Sequence, residues 1–281
     1  MRIDSHQHFW RYSIAEYPWI GAGMERLARD RLPDDLAAVA AAEGIGGTIA
    51  VQARQSVEES RWLLALADKH PLVAGVVGWV DLLSETVAEA LASLSAHPKF
   101  VGVRHVVQDE PDDRFLLGAA FVRGLAQLRQ FGLVYDLLLY PRQLPAAVEL
   151  VARLPDQPFV LDHLAKPGIE AGAMQPWQAD IERLATHPNV SCKISGLVTE
   201  AAWRGWKRSD FTPYLEVVLD AFGPKRLLFG SDWPVCLLAA DYADVVGIAD
   251  DFLARLSGPE QDAVWGGTAT DIYGLTSRNT T

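Results

Sequence analysis

Eight short, β-rich runs constrain any fold open to this chain. They are "RIDSHQHF" (2–9), "GTIAVQA" (47–53), "LVAGVVGWV" (72–80), "FVGVRHVV" (100–107), "LVYDLLL" (133–139), "FVLDHLA" (159–165), "VSCKIS" (190–195) and "LLFGSDW" (227–233). Each is separated from the next by about one helix's worth of chain, the spacing of a strand-helix unit. Strict alternation of strand and helix predicts an α/β protein with a parallel sheet, and eight units predict a (β/α)8 TIM barrel. The competing open, doubly wound sheet would carry a GxGxxG turn after its first strand, and none is there. No Gly-, Ser- or Pro-rich linker divides the 281 residues, so a single domain spanning 1–281 is expected.

The segments between the strands carry helix signals. Ser56 followed by Glu59 reads as a capping box, Ser84 as an N-cap, and Gly44 as the residue that closes a helix. Three helical patterns run into His70-Pro71, His97-Pro98 and His187-Pro188. Proline disfavours helix at the residue before it, so these histidines mark helix ends on the barrel face away from the site.

Composition narrows the partners. A net charge of −11 argues against nucleic acid and anionic membranes. No apolar run is long enough to span a bilayer. The N-terminus shows no basic stretch followed by an apolar run, which predicts no secretory leader. Two cysteines, Cys192 and Cys236, suit a reducing compartment, so a cytoplasmic protein is expected. A homo-oligomer is compatible with this composition.

In such a barrel the C-terminal ends of the strands face the site. Those ends carry His6 and His8, Gln52 and Arg54, Trp79 and Asp81, Arg104 and His105, Tyr135 and Asp136, His163, Lys193, and Asp232. Polar groups at nearly every end predict a polar cavity. His6 and His8 have the period-two spacing that places both on one face of a strand, with Asp4 one layer deeper, where it could orient an imidazole. Asp162, next to His163, is expected on the opposite face in a structural role. Strand 8 closes against strand 1, so Asp232 is expected beside His6 and His8. Three imidazoles and a carboxylate could hold one divalent metal or act as a metal-free acid/base site.

The D-x-H-x-H start, "DHLAKP" and "GSDWP" together resemble the amidohydrolase superfamily. More narrowly, "DHLAKP", "CKISGL" and the terminal "GGTATDIYGL" are similar to its amidohydrolase-2 lactonase branch, over residues 2 to 275. That branch holds L-fucono- and L-rhamnono-lactonases, 4-sulfomuconolactonase and pyrone-dicarboxylate lactonase. The resemblance implies a barrel fold, hydrolysis of a lactone ring, and roles for His6, His8, His163 and Asp232. A binuclear centre is not expected, because strand 4 ends in Arg104 and His105 and strand 7 carries Lys193 without a histidine.

Lactone hydrolysis needs a water, a base and charge stabilisation at the carbonyl oxygen. Asp232 is the expected base, with His6, His8 and His163 as catalytic partners. The same four residues are the candidate ligands for a metal, zinc by donor type, with one of the four distant or weakly bound so that water has room. Arg104 suits carbonyl or anion binding, unless it is spent on a salt bridge to Asp136 or Asp81. His105, Gln52, Arg54, Tyr135 and Trp19 are further candidates for substrate binding. Long aromatic loops at 10–32 and 197–212 are expected to shape the pocket or to form a small core of their own. The expected substrate is an aldonolactone such as L-fuconolactone. A decarboxylase of a small carboxylic acid and a non-catalytic barrel that binds sugar acids are the alternatives.

Overall fold

The structure is a computed structural model that describes residues 1–275. Its eight strands are β1 (Arg2–Gln7), β2 (Ile45–Val51), β3 (Val73–Gly78), β4 (Phe100–His105), β5 (Val134–Leu137), β6 (Phe159–Leu161), β7 (Val190–Ile194) and β8 (Leu227–Phe229). They are all parallel and lie side by side in chain order. A parallel bridge between Gln7 and Trp233 brings the end of β8 back to β1 and nearly closes the barrel. There the His8 N–H donates to the Trp233 carbonyl at 2.7 Å, and the Asp232 N–H to the His6 carbonyl at 2.8 Å.

The expected eight-fold alternation is present. Helices α1 (Pro33–Ala42), α2 (Val57–Lys69), α3 (Val87–Ser95), α4 (Ala119–Leu125), α5 (Leu144–Arg153), α6 (Trp177–Ala185), α7 (Leu197–Glu200), α8 (Arg208–Phe222) and α9 (Tyr242–Leu253) follow the strands. Two more, α10 (Gly258–Asp262) and α11 (Thr268–Tyr273), end the described chain. Alternate strand residues sort into two apolar layers. Ile3, Ile49, Val51, Val77, Val101, Val134, Val160 and Leu228 fill the barrel interior. A larger cluster, with Val76, Val103, Tyr135 and Leu161 from the strands, packs against the helices. Each fully buried aliphatic side chain contributes about 1.5–3 kcal/mol. Ala269 and Tyr273 of α11, with Leu275 just after it, join the interior cluster at the N-terminal ends of the strands and plug that mouth.

The local signals hold with two corrections. Gly44 does follow α1 with φ +71°, and His70 caps α2, while α3 and α6 end two residues before His97 and His187. Ser84 is not an N-cap, because α3 starts at Val87 and Ser84 instead accepts the Thr86 N–H in the preceding turn. Ser56 does accept the Glu59 N–H at 3.2 Å, but the Glu59 carboxylate does not return to Ser56. It accepts the Ala53 and Arg54 N–H groups at 3.0 Å each and the Tyr17 hydroxyl at 3.1 Å, tying the loop after β1 to the end of β2.

Burial drives the Glu59 carboxyl up to about 7, against these three donors and Arg54. A raised folded value means that its stabilising contribution is complete below the ordinary 4.5 and is lost as pH rises through about 7. Wild type should therefore lose about 2–3 kcal/mol relative to Glu59→Gln between pH 5 and pH 8. Urea unfolding of both proteins at the two pH values checks this, and a constant difference between them refutes it.

Candidate metal and acid/base centre

Three imidazoles and one carboxylate oxygen meet at the C-terminal mouth. His6 and His8 extend from the end of β1, with their Nε2 atoms 3.2 Å apart. Asp232 Oδ1 lies 3.4 Å from His8 Nε2 and 3.8 Å from both His6 Nε2 and His163 Nε2. All four residues are buried. Their other ring nitrogens are held from outside. His8 Nδ1 is 2.8 Å from the Val51 carbonyl, which only accepts, so Nδ1 carries the proton and Nε2 offers a lone pair. His6 Nδ1 lies 3.2 Å from both Asp162 Oδ1, which only accepts, and the Lys193 ammonium, which only donates, so these two neighbours do not select its tautomer. His163 Nδ1 pairs with the Ser195 hydroxyl at 2.8 Å.

Two imidazole nitrogens and a carboxylate oxygen at these separations suit a shared cation. A tetrahedral zinc with bonds of about 2.0–2.1 Å sets its donors about 3.3 Å apart, close to the His6–His8 and His8–Asp232 separations. The donor set of neutral imidazole and carboxylate suits that ion. Burial holds His6 well below the ordinary imidazole value, with help from Lys193 and His163 and against Asp162. Burial likewise takes His163 down to about 4, against Asp232 and Asp162. Both are therefore neutral near pH 7, the form that ligates metal. For Asp232 burial acts upward, but His163, His8 and His6 outweigh it and keep the carboxylate ionised.

Beneath the cluster lies a charged floor. Lys193 Nζ sits 2.5 Å from Asp136 Oδ2, 3.0 Å from Asp162 Oδ1 and 3.2 Å from His6 Nδ1, fully buried. Arg104 Nη1 is 3.0 Å from Asp162 Oδ2 and 3.2 Å from His6 Nε2, and Nη2 donates to the Gln52 carbonyl at 2.5 Å. Burial lifts the Asp136 carboxyl to about 6, against the pull of Lys193, while Tyr273 donates to it at 2.8 Å. Lys193, His6 and Arg104 together overcome burial at Asp162 and hold it well below the carboxylate range.

Several expected placements change. Asp162 does not face away. β6 ends at Leu161, and His163 to Lys166 all adopt φ between 51° and 56°, so strand alternation no longer applies and neighbours 162 and 163 both reach the site. Asp4 does not underlie the imidazoles. The register of β1 shifts between Asp4 and Gln7, Ile3 takes the interior position, and Asp4 turns toward α9. There it accepts from Tyr242, the Ser231 hydroxyl and the Ser231 and His6 N–H groups. The ion-pair partner of Arg104 is Asp162 rather than Asp136 or Asp81.

His105 and Tyr135 point into the helical shell rather than the cavity. His105 stacks on Phe115 at 5.0 Å and pairs with Glu110 at 2.7 Å, and Tyr135 packs edge-on against Phe121 and Phe159. Gln52 is spent on Arg104, whose carbonyl accepts its amide at 3.2 Å. Arg54 lies outside the cluster and pairs with Glu16 at 2.8 Å. Trp19 is 38% exposed and meets Trp10 edge-on at 5.6 Å. The loop after β1 forms its own core of Trp10, Tyr17, Ile20 and Leu27. The loop after β7 ends earlier than 212, because α8 begins at Arg208.

Sequence reasoning placed Asp136 and Lys193 at the site-facing strand ends without giving either a role, and it missed Ser195, Lys166 and Glu200. The last two lie 3.8 Å apart, with Glu200 raised by burial and then by Asp232 despite Lys166. Gly196 follows Ser195 with φ +66°, and a Cβ there would sit 2.6 Å from His163 Nδ1. Gly196→Ala should displace the imidazole and lower kcat at least roughly tenfold, because small misplacements in a site are costly. Steady-state kinetics beside a thermal melt checks this, and wild-type kcat in a folded variant refutes it.

The family model described as Amidohydrolase matches residues 3–275. The chain belongs to the amidohydrolase family. Within that family it is similar to an L-fucono-1,5-lactonase of Burkholderia multivorans, at 49% identity over 98% of this chain and 96% of the relative. An L-fucono-1,5-lactonase of Burkholderia ambifaria is 38% identical over 97% of this chain and 95% of its own length. A crystal structure of a Burkholderia multivorans amidohydrolase with bound zinc superposes with a TM-score of 0.94. It is 49% identical over 98% of this chain and 99% of that one.

Proposed function

We propose that this amidohydrolase opens the ring of a sugar 1,5-lactone to the sugar acid, with L-fucono-1,5-lactone the foremost substrate. One observation carries the reading. His6, His8, His163 and Asp232 converge at the strand ends of a chain 49% identical, over nearly its whole length, to an L-fucono-1,5-lactonase.

His6, His8 and Asp232, whose donor atoms form one group that does not include His163, would hold one divalent ion, zinc by donor type. When bound, such an ion supplies Lewis acidity toward the lactone carbonyl and lowers the pKa of water. Asp232, ionised throughout the neutral range, takes a proton from the attacking water. As the ring C–O bond breaks, that proton passes to the departing ring oxygen, and the carbonyl carbon becomes the carboxylate. So weak a base needs an acidified water, which the positive field of the site provides. Arg104, held by Asp162 and Gln52, adds a charge that cannot be lost by deprotonation. The partly exposed rings of Trp19 and Trp203, on the loops after β1 and β7, offer faces for the C–H side of a sugar. Among the described residues no helix is long and apolar enough to cross a membrane, and both cysteines are free and buried, which supports a cytoplasmic setting.

The test is a panel of aldonolactones in a pH-indicator assay, since hydrolysis releases a proton. Turnover of 1,5-lactones above the uncatalysed rate is expected, and a panel without acceleration refutes the reading. Measuring metal content and kcat together across a chelation series then divides the work. Strict proportionality assigns the ion to the reaction, and unchanged kcat in metal-free protein leaves it to Asp232, the imidazoles and Arg104.

A further inference from the structure

A groove of about 460 Å³ runs along the outer wall between α1 and α9, and no member of the imidazole cluster lines it. Arg26, Arg29 and Arg31 enter it from the loop after β1, with Asp35, Trp233 and Asp241 facing them. Two of the cations have partners. Arg26 bonds to Asp241 at 2.6 Å and to the Leu237 carbonyl. Arg29 reaches Asp35 at 3.4 Å, although Asp35 also accepts the Leu32 N–H at the start of α1.

Arg31 is different. It is 6% exposed, and among the described residues no carboxylate lies within ion-pair distance of it, Glu43 on the same wall included. One guanidinium nitrogen donates to the Arg26 carbonyl, its Nε has no partner, and its centre lies 6.0 Å from the Trp233 ring. Burial and the like charges of Arg29 and Arg26 all oppose its charge, with only Asp35 and Cys236 acting the other way. A guanidinium does not escape by releasing its proton, so it needs a counter-anion.

We propose that this groove is a binding site for a small oxyanion, carboxylate or phosphate, with Arg31 as its buried anchor and Arg29 at its mouth. The fork of guanidinium donors matches either group in a bidentate pair. The bound anion would lie against Trp233, whose carbonyl accepts the His8 N–H. The site is separate from the reaction centre, and the inference does not rest on the hydrolytic reading.

Calorimetric titration of the full chain in low-salt Tris buffer, with inorganic phosphate in one arm and acetate in the other, tests it. Saturable binding of at least one anion is expected. Both Arg31→Gln and the exposed-site variant Arg29→Ser should weaken it roughly tenfold or more, the loss of one charge-assisted hydrogen bond. Acetate binding alone marks the site as carboxylate-selective, and binding of both marks it as a general oxyanion site. If Arg31→Gln fails to fold, Arg29→Ser decides. Absence of saturable binding at millimolar concentration, or wild-type affinity in folded Arg29→Ser, overturns the proposal.

Discussion

Asp232→Asn should lower kcat by roughly 10² to 10⁴ while the barrel remains folded, the usual cost of losing a general base. The amide is nearly isosteric with the carboxylate but does not accept a proton. The backbone should tolerate the change, because residue 232 sits at φ +57°, a conformation that asparagine adopts as readily as aspartate. The N–H that ties this residue to the His6 carbonyl is unaffected. Steady-state kinetics with urea unfolding separates chemistry from folding. A folded variant with near wild-type kcat would remove Asp232 from the mechanism.

The largest stability effect is expected at Lys193. Its ammonium is fully buried and lies within 3.0 Å of two carboxylates, Asp136 and Asp162. Lys193→Met keeps the stem but leaves both acids facing each other across an apolar gap. Breaking a buried ion pair from one side costs about 3–5 kcal/mol, because the remaining charge is uncompensated. Asp136 already lies at about 6, so it would take up a proton in response. The double variant Lys193→Met with Asp136→Asn should therefore recover part of the loss. Urea unfolding of the single and double variants measures this, and a single variant within about 1 kcal/mol of wild type contradicts it.

These two residues mark where a sequence is legible and where it is not. His6 lies in β1 and His8 just past its end, their spacing assigns them to one face, and the structure places them together. Asp232 could be placed beside them because closure of a barrel is a property of the fold class. Parity failed where the backbone stops being a strand. The end of β6 at Leu161 and a four-residue left-handed run from His163 bring both Asp162 and His163 inward, and a register shift in β1 turns Asp4 outward. At 104/105 and 135/136 the sequence offers one residue to each face without saying which face is inside. The structure selects Arg104 and Asp136 for the cavity and gives His105 and Tyr135 to the helices. A usable signal was present in "YDLL", "LDHL" and "CKIS", each an isolated charge within an apolar strand. Two acids and one lysine on three adjacent strands have to compensate one another.

The plug formed by α11 ties the interior of this protein to the order in which it is made. Tyr273 reaches from the closing segment to Asp136, and Ala269 and Leu275 seal the interior aliphatics contributed by all but one of the strands, beginning with Ile3. A ribosome releases the chain from its N-terminus at about 5–20 residues per second. Residues 269–275 emerge after every strand, so the cover they place on the interior, and the Tyr273–Asp136 bond, form only once all eight strands are out. Closure beneath the reaction centre therefore depends on a segment that follows all eight strands and lies far from the mouth.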